Sequence, residues 1–162
     1  MEHAIRKHCK VSADDDPVFY KSMSDKLDEI IKKHSDKWEQ MALRLQSLRD
    51  EILQGRGPNA KVEDPFLDLI ISLAFKEGDL AAQIDRVKET VVVIMDDLNG
   101  YIGNLDFWER DDLVAELQGK IKKRFILSRV EALKQHRELL ATEVVALARR
   151  REKEILGINA SD

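Results

Sequence analysis

The sequence predicts an all-α protein, an antiparallel helical bundle with long C-terminal helices. Three observations predict it. Leu, Ile, Ala, Glu and Lys abound while Gly and Pro number only 7 and 3 in 162 residues, a mixture that favours helix over strand. Apolar residues recur at spacings of three and four from one end of the chain to the other, the period of a helix with one buried face. Even the β-branched stretch within residues 80–98 keeps that spacing and lacks the period-two alternation that marks a half-buried strand.

Asp14-Asp15-Asp16-Pro17 predicts the first well-marked helix start. An Asp side chain can accept from the free N–H groups of the first turn, Pro17 brings a preset φ, and the acids suit the positive end of the helix. Phe19, Met23, Leu27, Ile30 and Ile31 then fall on one face. A second series, Trp38, Met41, Leu45, Leu48 and Ile52, is again helical and stops at Gly55-Arg56-Gly57-Pro58-Asn59, the clearest loop in the chain. Asp64-Pro65 opens a third helix with Leu67, Ile70, Ile71 and Phe75 inward and a stop expected near Gly78. Asp79 is the expected cap of the next, whose stripe runs Leu80, Ile84, Val87, Val91, Ile94 or Met95, and Leu98, ending at Asn99-Gly100 and Gly103-Asn104. Asp106-Phe107-Trp108 begins the last third. Leu113, Leu117, Ile121 and Phe125 lie four apart, and Val130, Leu133, Leu140, Val144 and Leu147 follow a pattern of about seven. Arg137 and Arg151 occupy two apolar places of that pattern, and Gly157 is expected to end the last helix. A chain of 162 residues suits one domain or two small helical subdomains; the elements group into residues 1–54, a loop over 55–64, and residues 65–162, with both helical parts expected in one compact domain. No internal repeat of 20 to 50 residues is present.

Val91-Val92-Val93-Ile94-Met95-Asp96-Asp97 looks like the Walker B strand of an ATPase, an apolar β-branched run ending in acids that hold Mg²⁺. That chemistry needs a phosphate loop, G-x-x-x-x-G-K-[ST]. Gly119-Lys120 is followed by Ile121, and Gly55-Arg56-Gly57-Pro58 lacks both lysine and hydroxyl. With good helix formers leading into it and no turn before it, the run is expected to be helical, with Asp96 and Asp97 on or near its wet edge. His3 and His8 would point about 140° apart on a helix, unlike a ligand pair one turn apart. His34 and His136 have no neighbouring His or Cys. No nucleophile elbow or strand-borne acid pair is present. No catalytic, cofactor or metal residue is therefore assigned.

The chain carries 27 Lys and Arg against 31 Asp and Glu, a net charge of −4, unevenly spread. Gly119 to Lys153 holds eleven basic residues and four acidic ones. A basic tail on an acidic body suits docking to an acidic partner or to phosphates, although a solvated helix face accounts for most such runs. Lys120, Lys122, Lys123, Arg124 and Arg129, then Arg149, Arg150, Arg151 and Lys153, could contact the phosphates of DNA. Apart from Phe125 no aromatic residue is interleaved with them to stack bases, and consecutive cations fan around a helix. A basic helical nucleic-acid-binding module is accordingly the second functional reading. No apolar run approaches the length of a membrane span, and the lone Cys9 fits the cytoplasm.

Residues Met1-Glu2-His3-Ala4-Ile5-Arg6-Lys7-His8, then Asp15-Asp16-Pro17-Val18-Phe19-Tyr20-Lys21-Ser22-Met23-Ser24-Asp25-Lys26-Leu27-Asp28-Glu29-Ile30-Ile31, and Trp38 after them, carry a resemblance. The pattern resembles the C-terminal helical region of type I restriction enzyme R subunits, the motor and endonuclease chains. It spans about residues 1 to 50, with a looser likeness at Asp106-Phe107-Trp108 and none over residues 55 to 105. The resemblance implies a parent chain with a nuclease domain and two RecA-like lobes that use ATP and Mg²⁺, none of whose motifs lies here. Met1 would then be an internal methionine or an artificial start. For this piece it implies assembly: packing on the rest of its own R subunit, docking to the methyltransferase and specificity subunits, and no catalysis or cofactor of its own. Asp16, Pro17, Phe19, Tyr20 and Trp108 are the expected docking residues. Lys120, Lys122, Lys123, Arg124, Arg149, Arg150 and Arg151 match no family motif and remain candidate phosphate contacts.

Overall fold

A computed structural model describes residues 1–75 and 80–157. Among them every regular element is helical and no strand occurs, as the composition and spacing require. The described contacts group into two compact units, Met1–Lys61 and Val62–Asp162, each with its own hydrophobic core. The boundary falls inside the expected 55–64 loop.

The first unit is built from α1 (Glu2–Ser12), α2 (Pro17–Lys33) and α3 (Trp38–Gln54). α2 packs against both of the others. Pro17 stands at the first helical position of α2, and the Asp16 side chain accepts from the Phe19 N–H at 3.3 Å. The acid-proline start therefore works by the capping expected of it. Ile5 and Cys9 from α1, Met23 and Leu27 from α2, and Leu45, Leu48 and Ile52 from α3 make the core, flanked by half-buried Phe19, Ile30, Ile31 and Met41. Burial pushes the Cys9 thiol above its ordinary range. α3 ends at Gly55, whose φ of 64° lies in the left-handed region that a side chain disfavours.

Trp38 departs from its stripe. It is 80% exposed although it lies seven residues, about 20° around the helix, from buried Leu45. The face is right but the height is not: Trp38 is the first residue of α3, one turn before the first half-buried side chain, Met41.

The second unit contains α4 (Asp64–Ala74), α5 (Ile84–Ile102), a 3₁₀ turn (Phe107–Glu109), α6 (Asp111–Leu127), α7 (Glu131–Gln135), α8 (Arg137–Arg150) and α9 (Glu152–Ile155). α6 packs on α5 and α8, and α4 packs on α5 and α8. Val87, Val91, Ile94 and Leu98 of α5 are all but fully buried, with Val92 and Val93 exposed between them. That is the inward face the 3–4 spacing predicts, and the ATPase-like run is one part of this helix. α4 begins at Asp64-Pro65 as expected, but Phe66 and Leu69 are buried where Leu67 and Ile71 are only half-buried. The expected stop at Gly78 and cap at Asp79 lie outside the described residues. Gly100 is passed within α5, which ends at Gly103; the Asn104 amide then donates to the carbonyls of Gly100 and Tyr101.

The long C-terminal helices are interrupted. Ser128 stops α6: its hydroxyl donates to the Phe125 carbonyl at 2.6 Å and accepts from the Val130 N–H at 3.2 Å, offering the backbone a local alternative to helix. Arg129 follows in the left-handed region with φ of 60°, and Val130 is extended. A second break falls at His136, where the Arg137 guanidinium donates to the Lys134 carbonyl left free by the end of α7. Arg151 stands at the third, between α8 and α9. Both arginines that interrupt the apolar pattern thus mark helix ends.

Candidate functional site

Four of the sequence-predicted residues gather in the first unit, and the others are spread over the second. In the first, Asp16 is nearly enclosed. Besides capping α2 it accepts two hydrogen bonds from Arg56, at 2.5 Å from Nε and 2.8 Å from Nη2. This forked pairing joins the start of α2 to the loop after α3 and gives Asp16 a holding role within the unit. The Arg56 guanidinium also lies 5.9 Å from the Phe19 ring centroid. Phe19 meets Tyr20 edge-on at 5.2 Å, and Tyr20 meets His8 of α1 at 5.8 Å. Asp16, Pro17, Phe19 and Tyr20 are therefore brought together, with Phe19 and Tyr20 half-buried against the core. Trp108 belongs to the second unit. Its ring stands edge-on to Phe107 at 4.8 Å and under the Arg149 guanidinium at 5.7 Å.

The second place is the meeting of α5 and α6. Asp97 sits next to Leu98 in sequence and is 8% exposed, so it is buried and not on the wet edge expected for it; Asp96 is exposed. Its burial is matched by charge. Arg124 Nε is 2.8 Å from Oδ2 and Nη2 is 3.1 Å from Oδ1, a bidentate fork, and Lys120 Nζ is 3.5 Å from Oδ1. The hydrogen bond to Asp97 holds the Arg124 guanidinium above its ordinary pKa. One turn along, the Tyr101 hydroxyl donates to Glu116 at 2.8 Å, which raises the phenol pKa, and Lys120 lies 5.4 Å over the Tyr101 ring. Glu116, Lys120 and Arg124 follow one another at i, i+4 and i+8, so a single face of α6 meets Asp97 and Tyr101 of α5.

Much of the candidate phosphate-binding charge is thus committed inside the unit. Lys120 and Arg124 serve Asp97. Lys122 pairs with Glu138 of α8 at 2.6 Å and lowers that carboxyl's pKa. Arg151 pairs with Glu154 at 2.6 Å. Arg149 covers Trp108, and Arg150 is exposed. Lys123 points to solvent and has no ion pair among the described residues. Consecutive residues fan around α6 as expected, so these cations form no continuous stripe.

No protein-family model matches the chain, no curated protein matches it, and no solved structure matches it.

Sequence reasoning missed Arg56 and Asp97. Arg56 lies 40 residues from Asp16, and Asp97 lies 27 from Arg124. The available signal for Asp97 was its place one turn beyond Ile94 at the edge of a buried stripe, where a carboxylate needs a cation. The available signal for Arg56 was a lone cation in a glycine-bounded loop. Among the described residues no group of three or more His, Cys, Asp or Glu side chains is placed to hold a metal ion, and no helix is long and apolar enough to cross a membrane. What the arrangement does chemically is hold: each buried carboxylate is saturated by guanidinium or ammonium donors that join two elements.

Proposed function

We propose that this chain is a helical assembly domain from the C-terminal end of a type I restriction R subunit, docking the motor to the methyltransferase subunits in the cytoplasm. In this reading catalysis, ATP and Mg²⁺ belong to the nuclease and RecA-like parts of the parent chain, and the DNA target is read by the specificity subunit. The family reading rests on the resemblance of residues 1 to 50.

The observation that carries a docking role is Trp38. The apolar residues that bear the resemblance include core members and one that stands outside the core. Ile5, Met23 and Leu27 build the core and Asp16 caps α2, so they maintain the fold. Trp38 does neither and stands 80% exposed. Val11, Leu43 and Leu53 of the same unit are also largely exposed. Indoles are enriched among binding anchors, because they bury much area for little loss of side-chain freedom.

The test is a pull-down of the R subunit on the methyltransferase core, with and without this region, and with Trp38→Ala. Deletion is expected to abolish docking, and Trp38→Ala to weaken it about tenfold or more, the loss typical of an aromatic anchor. Undiminished docking by an R subunit lacking the region overturns the reading.

A further inference from the structure

We propose that the groove between α5 and the end of α6 binds phosphate groups. It has a volume of about 360 Å³ and is lined by Arg86 of α5, Arg124 near the end of α6 and Arg129 just beyond it. Glu89 is the one acid in its wall, and Asp97 neutralises Arg124 from outside it, so the three guanidiniums still outnumber the carboxylates.

The three arginines are available to different degrees. Arg86 and Arg129 are exposed, and their side chains make no ion pair or hydrogen bond among the described residues. Arg124 gives Nε and Nη2 to Asp97, which fixes the plane of its guanidinium while Nη1 stays uncommitted among the described residues. The groove therefore has one oriented donor and two adaptable ones. Thr90 and Ser128 also line it, but each hydroxyl donates to a backbone carbonyl, of Arg86 and Phe125 respectively. Binding falls to the arginines.

Arg129 is the residue that calls for a ligand. The position after a helix that turns left-handed is usually Gly or Asn, because a Cβ is crowded there. An arginine in that place could serve the helix itself by donating to the last carbonyls of α6. No such hydrogen bond exists among the described residues, and Ser128 already serves the Phe125 carbonyl. Arg129 is left exposed at the wall of the groove with its fork unused among the described residues.

The ligand chemistry follows from the donor set. A lone carboxylate offers two oxygens and one charge, whereas two open guanidinium forks and the remaining Nη1 of Arg124 suit a group with more acceptors and more charge, as a phosphate supplies. Val93 and Leu127, both exposed at the groove, give an apolar flank for whatever the phosphate is attached to. A nucleic-acid backbone and a small phosphate compound share this chemistry.

The test is a heteronuclear NMR titration of the full chain at constant ionic strength, once with pyrophosphate and once with a short DNA duplex. Pyrophosphate is expected to shift the side-chain N–H signals of Arg86, Arg124 and Arg129. Tighter binding of the duplex, weakening steeply with salt, identifies the source as nucleic acid. Binding of pyrophosphate without the duplex identifies a small phosphate compound, and either result supports the site. Arg129→Gly suits the backbone at φ of 60° and is expected to keep the fold while weakening binding about tenfold. Lys123→Gln removes a charge outside the groove and is expected to change little. The proposal is overturned if neither ligand shifts these signals, if Arg129→Gly binds as tightly as the parent, or if Lys123→Gln weakens binding equally.

Discussion

Asp16 shows at residue scale what a one-dimensional reading captures and what it loses. Its capping role was legible, because Asp before Pro at a helix start satisfies N–H groups only three residues away. Its second role was not, because Arg56 arrives from the far side of α3. The Asp16 side chain is 7% exposed and that of Arg56 19%, so the pair is poorly hydrated and each partner depends on the other. Replacing Asp16 with Ala is expected to cost about 2 to 3 kcal/mol in urea unfolding, the loss of a cap together with a largely buried fork. In a double-mutant cycle with Arg56→Met the coupling is expected to be about 1 to 2 kcal/mol, and strictly additive losses would remove the pairing from the account. Asp97 illustrates the same limit. A carboxylate beside a buried stripe could not be placed indoors without knowing that Arg124 and Lys120 meet it there.

Elements were more legible than residues, for a physical reason: a helix repeats its inward face every three or four positions, so many residues testify to one fact. α5 is the clear case. The β-branched run from Val91 to Val93 has a strand-like composition, yet burial falls on Val91 and Ile94 and skips the two between. Ile94→Ala is expected to cost about 2 to 4 kcal/mol, the price of a core cavity. Val92→Lys is expected to stay within about 0.5 kcal/mol of the parent. A comparable loss at both positions would argue for a run buried on two faces, as in a parallel strand. The breaks after α6 and α7 were less legible. Ser and Arg are ordinary helix residues by composition, and what ends α6 is the particular pair of hydrogen bonds that Ser128 makes. Trp38 was misplaced for a related reason, since periodicity reports the angle around a helix and says nothing of which turns are covered.

For the whole molecule, the all-α class was legible from composition and spacing together, while the grouping into two units was not. The loop at Gly55 to Asn59 marked the right neighbourhood, but nothing in the spacing says whether the helices before and after it contribute to one core. Two separate cores carry a mechanical expectation. Leu27→Ala opens a cavity in the core shared by α1, α2 and α3. Hydrogen exchange is expected to quicken throughout residues 2–54 and to leave the amides of α5 and α6 close to their parent rates. Equal acceleration in both units would mean that they unfold as one.

The division has a spectroscopic consequence. The protein contains two tryptophans, and each unit holds one. The Trp38 indole is bathed in water, whereas the ring nitrogen of Trp108 is fully buried. Their fluorescence therefore answers different questions without any label. Melting of the second unit shifts the Trp108 emission to the red, while melting of the first changes the colour of Trp38 very little, because that ring is already wet. A blue shift from Trp38 in the folded protein would have a single source: something had come to lie over α3 and dried it.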